Sequence, residues 1–175
     1  MNPNKFAMYH DEQYRQPGFP YTKFTEDTEV NWVWGFDLIN NEPILVPASF
    51  VYLPYPKPAD EPLIWHSVST GMAAASSIEE AVLKGICEIL ERDAFSIVWF
   101  NELSMPLIDF KSDPELFKFY QERIHVPGVD YYLLDITLDH PVPIVLGVLL
   151  DHQGGLIVAA SCNYNLKDAC IKTFI

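Results

Sequence analysis

A mixed α/β fold, a sheet with helices packed on it, is predicted by three features of this 175-residue chain. A long amphipathic segment runs from Ser76 to Asn101, three strand-like runs lie between Val129 and Ala160, and helical spacing returns from Leu166 onward. Apolar residues make up 49% of the chain and aromatics 14%, which excludes a disordered or low-complexity polypeptide. At this length folding buries roughly 70% of the unfolded surface, so a real core can form.

Residues 1–29 are polar and aromatic, broken by Pro17, Gly18 and Pro20, and read as an irregular lead-in to a domain spanning 30–175. The aromatic run from Asn31 to Leu38, the turn residues Asn40-Asn41 and the apolar run Ile44-Leu45-Val46-Pro47 predict a β-hairpin. Pro47 has no N–H to donate and belongs at a strand end or edge. Phe50 to Tyr55 is a further apolar stretch, and Pro54, Pro56, Pro58 and Pro62 stiffen the loop around 54–62 into an expected subdomain joint.

Ser76 or Ser77 followed by Glu79-Glu80 can head a capping box for the long helix. A second helix is predicted over Asp113 to Ile124, with Ser112 or Asp113 as cap and Pro114 in the first turn. After the break at Pro127-Gly128, strands are expected over Val129–Ile136, Pro143–Leu150 and Leu156–Ala160. The middle one is apolar nearly throughout, as a central strand covered on both faces would be. Leu166, Ala169, Cys170, Thr173 and Phe174 then fall at i, i+3, i+4, i+7 and i+8, an amphipathic helical stripe. It reaches Ile175 without a cap or a following turn, so the sequence is expected to be a piece of a longer protein, with a helix packed at a natural C-terminus as the alternative.

Composition narrows the function classes. With 11 basic against 24 acidic residues, a net charge of -13, the chain would be a poor phosphate-backbone binder, and no nucleic-acid partner is expected. The first sixteen residues hold no apolar core of a secretory signal, and the longest apolar run, Ile144 to Leu150, is too short to span a membrane. Cys87, Cys162 and Cys170 are odd in number and lack a CxxC pair, so neither a disulfide framework nor a zinc site is indicated, and Cys162 and Cys170 are expected as core cysteines rather than nucleophiles. A cytoplasmic chain without a membrane partner is the resulting expectation. His66 lies in a loop and is expected to be solvated, and no histidine shows metal-ligand spacing.

The chemistry concentrates on the long helix. At about 100° per residue, with Glu80 as origin, Glu91, Lys84, Glu88 and Arg92 fall between roughly 20° and 120°, and Ile89, Val82, Ile86, Leu90 and Leu83 between roughly 180° and 300°. Two readings of the acidic sector compete. One is a solvated face, with Lys84 and Arg92 in surface ion pairs and Glu80 completing the capping box. The other is a Mg²⁺–nucleotide site, in which carboxylates meet an anionic triphosphate through Mg²⁺ and Arg92 contacts phosphate directly. No glycine-rich phosphate loop is present, so a Rossmann or Walker-type site is unsupported.

The run Ser69-Thr70-Gly71-Met72-Ala73-Ala74, the pair Ser76-x3-Glu80, and Glu88-Ile89-Leu90-Glu91-Arg92-Asp93-Ala94-Phe95 together resemble the central segment of the YcaO family of ATP-dependent peptide-backbone modifiers. The closest likeness is to the cyclodehydratase component of thiazole/oxazole-modified peptide biosynthesis. Trp34-Gly35-Phe36-Asp37-Leu38, Val46-Pro47-Ala48, Trp99, Pro106-Leu107-Ile108-Asp109 and Leu134-Asp135-Ile136-Thr137 are similar to the same family, so the likeness runs from about Val30 to Ile175. The resemblance implies that Ser76, Glu80, Glu88, Glu91 and Arg92 bind ATP, with Glu80, Glu88 and Glu91 as the Mg²⁺ carboxylates and no residue as a covalent catalyst. Asp93, inside the apolar sector, is expected to be a buried hydrogen-bonding strut.

The implied reaction is activation of a backbone amide in a ribosomally made precursor peptide. A Cys, Ser or Thr side chain attacks the preceding carbonyl, the oxygen is phosphorylated by ATP, and elimination leaves a thiazoline or oxazoline. The implied partners are the precursor peptide and a leader-peptide-binding protein, with room for a homodimer. The family's earlier serine–glutamate–glutamate–arginine helix, its later glutamine/arginine motif and the proline-rich C-terminal tail are missing from these residues. About half of the family's ATP site is therefore expected here, in a domain incomplete at both ends, and the isolated chain is expected not to turn over ATP. Two alternatives stand beside this reading: a non-catalytic peptide-binding or scaffold segment, and a YcaO enzyme that makes thioamides or amidines or assists ribosomal-protein methylthiolation.

Overall fold

The structure is a computed structural model that describes residues 2–175, and the chain divides into two compact units, Met1–Ser69 and Thr70–Ile175. In the first unit a short helix, α1 (Asp11–Tyr14), has no periodic signal in the sequence. Its start is set by a reciprocal cap, in which the His10 ring accepts the Glu12 N–H and the Gln13 side chain accepts the His10 N–H. The predicted hairpin forms from β1 (Trp32–Asp37) and β2 (Glu42–Pro47), antiparallel and registered from Trp32↔Pro47 to Asp37↔Glu42. Its turn places Asn41 at φ 56°, and Asp37 Oδ1 accepts the Ile39 and Asn40 N–H groups at 2.9 and 3.0 Å. Those donors hold the Asp37 carboxyl below the usual carboxylate range. Pro47 ends its strand, where a missing N–H costs nothing. Tyr9, Tyr14, Phe19 and Tyr21 cluster by edge and stacking contacts, and Trp65 packs on Tyr9. The buried Glu61 carboxylate is satisfied by Tyr55 and Asn31.

The second unit is built in three layers. Its middle is an antiparallel sheet of β3 (Val129–Asp135), β4 (Ile144–Asp151) and β5 (Leu156–Cys162) in the order β3-β4-β5, so the most apolar run is the central strand as expected. On one face Leu133 and Val145 pack with Phe110 and with α3 (Pro114–Arg123) and α4 (Leu166–Phe174), through Leu116, Tyr120, Ala169 and Cys170. On the other face Ile144, Leu146 and Cys162 meet α2 (Ile78–Phe100) through Ala94 and Val98. Caps explain where the helices begin: Ser77 opens α2, Asp113 accepts the Glu115 and Leu116 N–H groups at α3, and Asn165 accepts the Asp168 N–H at α4. No helix among the described residues is long and apolar enough to cross a membrane.

The packed face of α2 differs from the one its leucines and isoleucines predict. The buried positions are Gly85, Ala94 and Val98, while Leu83, Ile86 and Ile89 are exposed. On the same wheel Cys87, Ala94 and Val98 lie at about 340°, 320° and 0°. The helix thus seats on the sheet along Ala94 and Val98, flanked by Cys87, Leu90 and Phe95, and the small residues of this line border the acidic sector instead of opposing it. Asp93 is correspondingly exposed, not a buried strut.

Candidate functional site

At the N-terminus of α2 the Ser77 hydroxyl accepts the Glu80 N–H at 3.2 Å. The reciprocal half of the expected capping box is replaced by other bonds. Ser76 donates its hydroxyl to Glu80 Oε2 at 2.8 Å, and Lys84 pairs with Oε1 at 2.9 Å. Lys84 first, then Ser76, holds the Glu80 carboxyl below its ordinary range, so it is ionised at neutral pH.

Two turns on, Glu88 Oε2 accepts the Gly71 N–H at 3.0 Å, and Arg92 lies 3.7 Å from Oε1. The Gly71 backbone reaches this position because neither side of the crossing carries a Cβ. A methyl at Gly85 would sit 2.7 Å from the Gly71 carbonyl oxygen, and Gly71 itself has φ +84° with Ile89 Cδ1 3.1 Å from where its own Cβ would be. Glu91 Oε2 accepts the Cys162 N–H at the end of β5, at 3.0 Å. That bond staples helix to sheet and satisfies an edge-strand amide.

One cavity of about 490 Å³ gathers these groups. It is lined by Glu80, Lys84, Cys87, Glu88 and Glu91 of α2, by Cys162, Asn163 and Tyr164 after β5, and by Lys172 of α4. The three glutamates singled out in the sequence therefore share one concavity. Ser76 is held to its edge through Glu80, and Arg92 lines an adjoining cavity of about 280 Å³ with Glu91, Phe95 and β5 residues 158–160. Sequence reasoning missed Asn163, Tyr164 and Lys172. Asn163 and Tyr164 follow a strand end, which was a usable signal; Lys172 sits off its helix's apolar stripe and carried none. His66 is exposed, as expected.

Cys162 and Cys170 are buried, as predicted for core cysteines, though Cys162 also reaches the cavity. Burial, the neighbouring Cys87 thiol and the Glu91 charge push the Cys162 thiol up to about 12, and burial pushes Cys170 up to about 11. Unfolded thiols ionise near 9, so above that pH the unfolded chain loses protons that the native chain keeps. The associated stability is full below pH 9 and is lost as pH rises towards 11–12. Urea midpoints should therefore fall steadily from pH 9 upward, and the fall should flatten in Cys162→Ala.

The donor set fits Mg²⁺ carried on phosphate and does not fit a metal held by protein alone. Among the described residues no three His, Cys, Asp or Glu side chains converge as a metal cage. Mg²⁺ commonly takes only one or two carboxylates and fills its other positions with phosphate oxygens and water. Glu91 leaves Oε1 without a hydrogen-bond partner among the described residues, and Glu88 Oε1 has only its long contact to Arg92.

The family model described as YcaO cyclodehydratase, ATP- and Mg²⁺-binding, matches residues 1–175. An uncharacterized protein of Methanothermobacter thermautotrophicus is 31% identical over 127 residues, 71% of this chain and 33% of that relative. A heterocyclase solved in complex with substrate and cofactor superposes over 99% of this chain and 25% of its own, with TM-score 0.84 and 24% identity. YcaO from Methanopyrus kandleri, solved with AMPPCP and Mg²⁺, matches over 96% of this chain and 46% of its own, with TM-score 0.63 and 25% identity. The chain spans about a third of the curated relative's length and between a quarter and a half of the two structures. With the family model matched over residues 1–175, the chain belongs to the YcaO family.

Proposed function

We propose that this chain is the Mg-ATP-binding segment of a longer YcaO cyclodehydratase, which converts Cys, Ser or Thr of a ribosomally made precursor peptide to thiazoline or oxazoline in the cytoplasm. The observation that carries the reading is that Glu80, Glu88 and Glu91 line one cavity that also holds cationic side chains. Glu88 and Glu91 would hold Mg²⁺, with Glu80 beside them, and Arg92 would face phosphate from the adjoining cavity. Bound Mg-ATP supplies the phosphoryl group that turns an amide oxygen into a leaving group. The chain's own residues position and neutralise: the Gly71 and Cys162 amides fix two carboxylates, Ser76 and Lys84 fix the third, and no side chain here is assigned a covalent step.

The missing family motifs would come from the rest of the protein, so this chain by itself is assigned no turnover. The precursor peptide and a leader-peptide-binding protein are the proposed partners. The test is isothermal titration of the full-length protein with ATP, with and without Mg²⁺. Mg²⁺-dependent binding is expected, with ADP and phosphate released only when the precursor peptide is added. Absence of heat in the presence of Mg²⁺ would leave the scaffold reading in its place.

A further inference from the structure

We infer that Lys172 is a phosphate-binding residue of this cavity, supplied by α4 to a site whose other charged groups all lie on α2. The inference rests on the proposed Mg-nucleotide reading and adds a residue to it. Three cations come near the three glutamates, and two of them are engaged: Lys84 with Glu80 at 2.9 Å and Arg92 with Glu88 at 3.7 Å. Lys172 lines the same cavity and forms no ion pair among the described residues. The other lysine of α4, Lys167, is tied to Asp113 and Glu115, so an unpaired ammonium is not a general property of that helix.

Lys172 is also well anchored. Its neighbour Thr173 is buried, donates its hydroxyl to the Ala169 carbonyl at 2.7 Å and packs where Gly147 has no side chain, and Ala169 and Cys170 are fully buried. The backbone of residue 172 is thereby fixed while its side chain stays free. Lys172 lines the cavity together with Cys162, whose N–H is held by Glu91 at the end of β5. An ammonium in no ion pair, beside two carboxylates that already have cationic partners, is matched to an anion entering the cavity. The triphosphate of a Mg-bound nucleotide brings that anion, and a lysine serves it as a flexible point charge.

The test compares wild type, Lys172→Met and Lys172→Arg in the full-length protein, titrated with a non-hydrolysable ATP analogue plus Mg²⁺ and, separately, with adenosine. Lys172→Met should bind the analogue about tenfold or more weakly, with adenosine unaffected, and Lys172→Arg should recover most of the loss. Unchanged thermal midpoints would accompany that result. If Lys172→Met binds the analogue as wild type does while Glu88→Gln and Glu91→Gln lose it, Lys172 is outside the phosphate path and the cavity reading stands. An equal loss for adenosine and analogue with a lowered midpoint would make Lys172 a helix-end stabiliser only. Failure of wild type to bind the analogue at all would remove both readings.

Discussion

Peptide-dependent ATP hydrolysis by the full-length protein should fall by at least about 100-fold in Glu91→Gln, with the melting temperature close to that of wild type. The amide keeps a carbonyl oxygen able to accept the Cys162 N–H, so the staple between α2 and β5 survives while the negative charge is lost. Glu91→Ala separates the two duties of this residue. It removes the charge and also leaves the Cys162 amide without its acceptor at the edge of the sheet, which costs about 1–3 kcal/mol of stability in addition. Steady-state phosphate release with precursor peptide, run beside thermal melts, reads both effects. Normal hydrolysis in Glu91→Gln would remove this carboxylate from the site.

The second large effect is structural. Gly147 lies in the central strand β4, and a Cβ there would fall 2.6 Å from Thr173 Cγ2, with the Thr173 and Ala159 carbonyl oxygens at 3.5 and 3.6 Å. Thr173 cannot simply rotate away, because its hydroxyl is bonded to the Ala169 carbonyl in a buried setting. Gly147→Ala should therefore lift α4 or break that bond, at about 1–3 kcal/mol, seen as a lowered urea midpoint. Thr173→Ser removes the clashing methyl and keeps the hydroxyl. The double variant Gly147→Ala/Thr173→Ser should recover most of the loss, and a failure to recover would place the strain on the backbone contacts instead.

Much of the fold could be read from local signals. Ser77, Asp113 and Asn165 mark helix starts through their own side chains, and the apolar strand between Pro143 and Leu150 is central because nearly every residue in it is greasy. The seating of α2 could not be read in this way. Most of its bulky residues point to one face, but the positions buried against the sheet are Ala94 and Val98, flanked by Cys87, Leu90 and Phe95, and the small ones among them carry little weight in a hydrophobicity pattern. The same displacement explains the error over Asp93 and brings the glutamates to the rim of the packed face. Glu80, Glu88 and Glu91 were legible because they repeat on one helix. Lys172 was not, since only the tertiary arrangement brings α4 to that cavity.

The crossing of Gly71 over Gly85 sets how Glu88 can be lost. Its carboxylate is aimed by a main-chain amide, a donor present whichever residue occupies the position, proline excepted. Side-chain turnover in the surrounding loop can proceed freely without disturbing that aim. A methyl at Gly85 would meet the Gly71 carbonyl oxygen and prise loop and helix apart, so the aim of Glu88 is most exposed to change at those two glycines.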